Sequence, residues 1–215
     1  MLFLSVVLLL SAYLFVELFR RLLGYGGFFS RKMIHIFVGL WGGWAYFAFS
    51  GKEPAIIMTF IFFLANIRWI RNRITAISAI EGESHPGMVY YPISLCLLFF
   101  FCWDVPYRYA GVIGLLNLGL GDSLAAIFGK KYGKKQYRCA DRVKTYLGSG
   151  VMFFVSLVST AFVLRYFKGG FGGKEVFASI AIALGASLCE AVSNKELDNL
   201  TVPLCSALIF SFFYL

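Results

Sequence analysis

Solid apolar runs broken by short clusters of charge dominate the chain. They fall at about 2–19, 33–50, 54–70, 88–103, 108–128, 147–165, 176–192 and 199–215, without the apolar/polar alternation of barrel strands. A helix needs about 20 apolar residues to cross a hydrocarbon core of ~30 Å. The pattern therefore predicts an all-α, polytopic membrane helical bundle of about eight transmembrane helices, or seven if one of the two shorter runs, the fourth or the last, does not cross. No change of pattern divides the chain, so residues 1–215 read as a single integral membrane domain.

Composition agrees: 60% of residues are hydrophobic and 14% charged, with mean hydropathy +0.77, far from a soluble globular domain. Charge adds an orientation. The first run has no charged residue before it and Arg20 and Arg21 after it, which suits an uncleaved helix entering with its N-terminus outside. Alternating from there, the inner side receives Arg20, Arg21, Arg31, Lys32, Arg68, Arg71, Arg73, then Lys130, Lys131, Lys134, Lys135, Arg138, Arg142 and Lys144, then Lys195. Only Lys52, Arg108, Arg165, Lys168 and Lys174 remain outside, so both termini are expected on the non-cytoplasmic side. The net charge of +9 is thus accounted for by topology, and no nucleic-acid partner is expected. Cys96, Cys102, Cys139, Cys189 and Cys205 form no CxxC pair and suggest neither a disulfide framework nor a zinc site.

The polar residues most costly to place near lipid gather at the same predicted inner face. Arg31, Lys32 and His35 open the second helix; Glu81, Glu83, Ser84 and His85 follow the third; Asp122 lies near the inner end of the fifth; Glu190, Asn194, Asp198 and Asn199 span the last connection. The expected working face is the cytoplasmic one. Gly39 and Gly43, a small-xxx-small pair, read as a close helix contact.

Asp122 is the sharpest signal, since an ionised carboxylate in or near hydrocarbon costs at least ~2.5–3.5 kcal/mol. One reading is a buried ion pair with a lysine of the following loop. The other is a ligand for Mg²⁺ or a base toward a hydroxyl. Gly129 and Gly133 flank Lys130 and Lys131 where that helix should end, so backbone N–H groups beside cations would suit phosphate, although the GxxxxGK[ST] spacing of a Walker loop is missing. Lys134 and Lys135 read as topology determinants. Lys144 precedes Thr145, Gly148 and Ser149 at a helix start, where the dipole favours an anion. His35 alone has the ordinary reading of a packed helix-end histidine, and His85 of a turn residue. Glu190 carries the same intramembrane cost as Asp122 and could share a cation with it or with Asp198.

RKMIH at 31–35, GDSLAAIFGKKYGK at 121–134, KTYLGS at 144–149 and DNLTVP at 198–203, with Glu190 shortly before, resemble the dolichol/phytol kinase family, itself distantly similar to CDP-diacylglycerol synthases. The resemblance runs from the second helix onward with its motifs in order. It implies transfer of the γ-phosphoryl group of CTP, or another nucleoside triphosphate, to a membrane isoprenoid alcohol such as dolichol, polyprenol, phytol or geranylgeraniol, with Mg²⁺. By position it makes Arg31 and Lys32 the family's basic pair, Asp122 the acidic residue of its GD motif and Lys144 the lysine of its KT motif, and these, with His35 as an alternative to Asp122 for the base, are the catalytic candidates. Gly121, Ser123, Gly129, Lys130, Gly133, Thr145, Gly148 and Asn199 become nucleotide contacts, and Asp122, Glu190 and Asp198 metal ligands. Leu147 departs from the glutamate expected before Gly148. The alternatives are a CTP-dependent diacylglycerol kinase, a cytidylyltransferase acting on a lipid phosphate and, outside enzymes, a small cation transporter.

Overall fold

The structure is a computed structural model and describes residues 1–24, 26–72, 87–104, 107–139, 142–169, 171–194 and 197–214. Arg73, Glu81, Glu83, Ser84, His85 and Lys195 lie outside them. Among the described residues the eight apolar runs are all helical. They are α1 (Leu2–Leu23), α2 (Gly27–Ala48), α3 (Lys52–Asn72), α4 (Gly87–Phe101), a continuous column of α5 (Tyr107–Leu116), a π-helical turn (Asn117–Asp122) and α6 (Ser123–Tyr132), then α7 (Tyr146–Tyr166), α8 (Gly173–Val192) and α9 (Asp198–Tyr214). Because α2 starts at Gly27 and not at 33, Arg31 and Lys32 sit inside its second turn. An unexpected element interrupts the basic loop: strands β1 (Gln136–Cys139) and β2 (Arg142–Thr145) pair antiparallel, Gln136 opposite Thr145 and Cys139 opposite Arg142.

By length and composition four helical segments are suited to crossing a membrane: Leu2–Leu23, the column Tyr107–Tyr132, Tyr146–Tyr166 and Gly173–Val192. Val89–Phe101 and Asp198–Tyr214 are shorter apolar helices. Burial orders them from the inside out. Over the most apolar 18-residue stretch of each, 67% of residues are buried in the column, 39% in α7, 33% in α8 and only 11% in α1. The outer helices turn Phe154, Phe162, Phe177, Leu184 and Phe212 outward, as a bundle surrounded by hydrocarbon would. Aromatic packing fills the far end of the core, where Tyr46 lies 5.1 Å from Trp103 and 5.2 Å from Phe99, ring centre to ring centre.

The π turn is where the other helices meet the column. Alpha-2 crosses it backbone on backbone: a Cβ on Gly39 would fall 2.7 Å from the Gly119 Cα, and one on Gly119 2.8 Å from the Gly39 Cα. The close contact is therefore Gly39 with Gly119. At Gly43, the expected second member, an added Cβ would make only ordinary contact, 3.7 Å from Leu116. Side-chain bonds complete the clamp. The Tyr91 hydroxyl of α4 donates to the His35 carbonyl at 2.7 Å. The Asn117 amide donates to Ser206 of α9 at 3.1 Å, and its carbonyl accepts from Ser159 of α7 at 2.7 Å. Tyr91 and Asn117 thus each find a partner on another helix.

A side chain at the Gly39–Gly119 crossing must push two backbones apart, and overpacking of this kind costs ~1–3 kcal/mol. Gly119→Leu is expected to lower the melting temperature in detergent clearly, and Gly43→Ala to leave it nearly unchanged. Equal effects from the two would contradict this packing.

Candidate active site

The ends of α2, α6, α7, α8 and α9, with the hairpin, enclose a polar cavity of about 510 Å³. That size suits a small-molecule ligand. Its walls bring together residues far apart in sequence: Arg31, Lys32 and His35 from α2; Asp122, the last residue of the π turn; Gly129 and Lys130 from α6; Gly133; Lys144 and Thr145 from β2; Gly148 from α7; Glu190 from α8; Asp198 and Asn199 from α9. Two expected members lie elsewhere. Gly121 packs on α7, where an added Cβ would come 2.9 Å from Met152 Sδ and 3.1 Å from Ser156 Oγ. Ser123 is fully buried, and its Oγ has no hydrogen-bond partner among the described residues.

Asp122 is ion-paired, though not with the following loop. Lys32 Nζ, from a helix 90 positions earlier, lies 2.5 Å from its Oδ2, and both side chains are buried. The register of α2 against the π turn, fixed by the glycine contact, sets this pair. Opposite it, β2 supplies two cations from alternate positions, which share one face of a strand. Lys144 Nζ stands 2.6 Å from the Glu190 carboxylate, 3.8 Å from Asp198 Oδ2, and donates also to the Glu190 carbonyl. Arg142 stands 3.5 Å from Asp198.

The glycines serve close approach, not turning. A Cβ on Gly129 would meet Thr145 Oγ1 at 2.7 Å, and one on Gly133 would meet Thr145 Cγ2 at 2.6 Å. The Gly133 N–H, expected to face an anion, donates instead to the Gly129 carbonyl at 3.0 Å. Thr145 caps α7 by accepting from the Gly148 N–H at 3.0 Å. Leu147 points away: it is 42% exposed and forms no part of the cavity wall, so the departure there leaves the site's lining intact. Lys134 and Lys135 are exposed and stay outside the cavity.

The expected metal ligands Asp122, Glu190 and Asp198 all line the cavity, each beside a cation. Among the described residues no three His, Cys, Asp or Glu side chains converge as a metal-holding group, because each of these carboxylates faces a cation. The donor chemistry nevertheless fits Mg²⁺, which is usually held by one or two carboxylates plus substrate phosphates. Glu190 Oε2 and Asn199 Oδ1 are buried oxygens on the cavity wall without hydrogen-bond partners among the described residues.

The sequence reading did not single out Arg142 from the other loop cations, nor Phe28 or Gln136, all of which line the cavity, as does Ser149. Lys130 Nζ sits over the Phe28 ring, 4.1 Å from its centre. Arg142 had a signal, the alternation in RVKT around the β-branched Val143, which is a strand pattern.

No family model and no solved structure matches the chain. A phytol kinase of Synechocystis sp. is 32% identical over 187 residues, 84% of this chain and 77% of that protein. The chain belongs to the phytol/dolichol kinase family. A probable chloroplastic phytol kinase 2 of Glycine max is 27% identical over 220 residues, covering 95% of this chain and 73% of its own length. A dolichol kinase of Mus musculus is 34% identical over 104 residues, 46% of this chain but 17% of that protein. Family membership makes the class that of a kinase, a phosphotransferase with an alcohol acceptor.

Removing one partner of a buried ion pair strands the other, typically at ~3–5 kcal/mol, whereas replacing both by apolar groups is often neutral. Lys32→Met is expected to destabilise the protein strongly in a thermal unfolding scan. Adding Asp122→Leu to it should restore most of the loss. A double variant as unstable as the single one would contradict the pairing.

Proposed function

We propose that this lipid kinase transfers the γ-phosphoryl group of CTP, or another nucleoside triphosphate, to a long-chain isoprenoid alcohol at the cytoplasmic membrane face. The single observation that carries the reading is the polar cavity where Lys32, Arg142 and Lys144 stand against Asp122, Glu190 and Asp198 at one end of the bundle. The distribution of basic residues supports that face being cytoplasmic, with all eight helices crossing and both termini opposite.

Phosphoryl transfer relies on positioning and charge stabilisation. The acceptor hydroxyl oxygen forms a bond to the γ-phosphorus while the bond to the β–γ bridging oxygen breaks, releasing a nucleoside diphosphate. Lys144, Arg142, Lys32 and Arg31 hold the phosphate oxygens. Each carboxylate that a cation leaves in turning to phosphate becomes available: Asp122 and Glu190, with Asn199 Oδ1, would hold Mg²⁺. When bound, that ion supplies charge neutralisation across the phosphates. His35 takes the hydroxyl proton, because its Nδ1 has no hydrogen-bond partner among the described residues, whereas Asp122, once Lys32 turns to phosphate, is committed to the ion.

The test uses purified protein in detergent with γ-labelled CTP or ATP, Mg²⁺, and a panel of phytol, geranylgeraniol, dolichol and diacylglycerol. Labelled isoprenyl monophosphate and released nucleoside diphosphate are expected. Asp122→Asn and Lys144→Ala should each lower kcat by roughly a hundredfold or more, the scale of one lost charge-stabilising contact. Labelled diacylglycerol phosphate as the only product would move the acceptor class, and pyrophosphate release would mean cytidylyl transfer. Absence of any labelled lipid would sink the proposal.

A further inference from the structure

A second cavity, of about 310 Å³, adjoins the polar one and has hydrocarbon walls. Leu9 and Ala12 of α1, Ile34 and Val38 of α2, and Met58 and Ala65 of α3 bound it, with Tyr91 of α4. Arg31 and His35 line both cavities, so the apolar space ends where the phosphate-binding space begins. The junction is held in place: the His35 and Tyr91 rings lie 4.3 Å apart, centre to centre, and the Tyr91 hydroxyl bonds the His35 carbonyl. On its other side the groove opens between α1 and α3, where Val6, Leu10 and Ile61 are exposed on the outer apolar surface. Alpha-1 is the least buried of the four span-length helical segments, and its main packing partner is α2.

We propose that this groove holds the hydroxyl-proximal part of the acceptor's hydrocarbon tail, with the hydroxyl at His35 and Arg31 and the remainder of the tail leaving between α1 and α3. The inference rests on the kinase reading above. A molecule with one terminal hydroxyl on a long apolar chain needs an apolar slot that meets a polar cavity at one point, and these two cavities meet at Arg31 and His35. A phospholipid acyl chain would fill the slot too, but it has no hydroxyl to deliver to the junction.

Ala12 and Ala65 are small wall residues outside the polar cavity. Ala12→Trp and Ala65→Trp are expected to raise KM for geranylgeraniol roughly tenfold, the scale of a disrupted apolar pocket, with KM for the nucleotide unchanged. In parallel, the wild-type protein without nucleotide is irradiated with an isoprenoid alcohol carrying a diazirine close to its hydroxyl. Label on α1–α3 wall residues, suppressed by excess phytol but not by phosphatidylcholine, supports the groove. Label on outward residues such as Phe154 and Leu184, or equal suppression by phosphatidylcholine, overturns it. Normal phosphorylation together with label outside the groove overturns the groove alone. A wild-type protein that phosphorylates no lipid sinks the kinase reading, wherever the probe attaches.

Discussion

A carboxylate carried into an apolar bundle has to meet a cation or a metal there, and the architecture around the π turn is arranged to satisfy that requirement. Lys32 reaches Asp122 only because α2 lies against the column at backbone distance, Gly39 on Gly119. Tyr91, Ser159 and Ser206 then tie α4, α7 and α9 to the same place through uncharged hydrogen bonds. Were the helices to separate there, Asp122 and Asn117 would lose their partners together, so burial and electrostatics enforce one geometry.

The hairpin solves a related problem at the opposite wall. A helix start cannot by itself place two cations over the carboxylates of two other helices. A short strand can, since its alternate positions point the same way. Thr145 then ends the strand and caps α7 in one residue. The result is a cavity lined by five cations, Arg31, Lys32, Lys130, Arg142 and Lys144, against three carboxylates, with unpartnered buried oxygens on Glu190 and Asn199 in its wall among the described residues. The excess of cations in the lining suits a site that binds a polyanion beside hydrocarbon.

The helical class and the positions of the eight runs were legible in the sequence, because a membrane bundle writes its elements as unbroken apolar stretches. The membership of the site was largely legible for the same physical reason: a charged or amide side chain in such a stretch is costly and so stands out, as Asp122, Glu190, Asp198 and Lys32 do. Family motifs were weaker guides one residue at a time. Gly121 and Ser123 belong to the same motif as Asp122 yet pack away from the cavity. Arg142 stood among the other loop cations, and its only distinguishing signal was the short alternation of RVKT, one four-residue strand.

What the sequence by itself determined is which segments are helical and which polar residues had to find partners, for both follow from local transfer costs along the chain. What only the tertiary structure decided is who those partners are. Asp122 was open to any cation within reach and took Lys32 from a helix 90 positions earlier, because pairing depends on the crossing of α2 with the column, and that crossing is set by two glycines whose significance exists only once they touch. The meeting of an apolar groove with the polar cavity at His35 is of the same kind, produced by how four helices lean on one another.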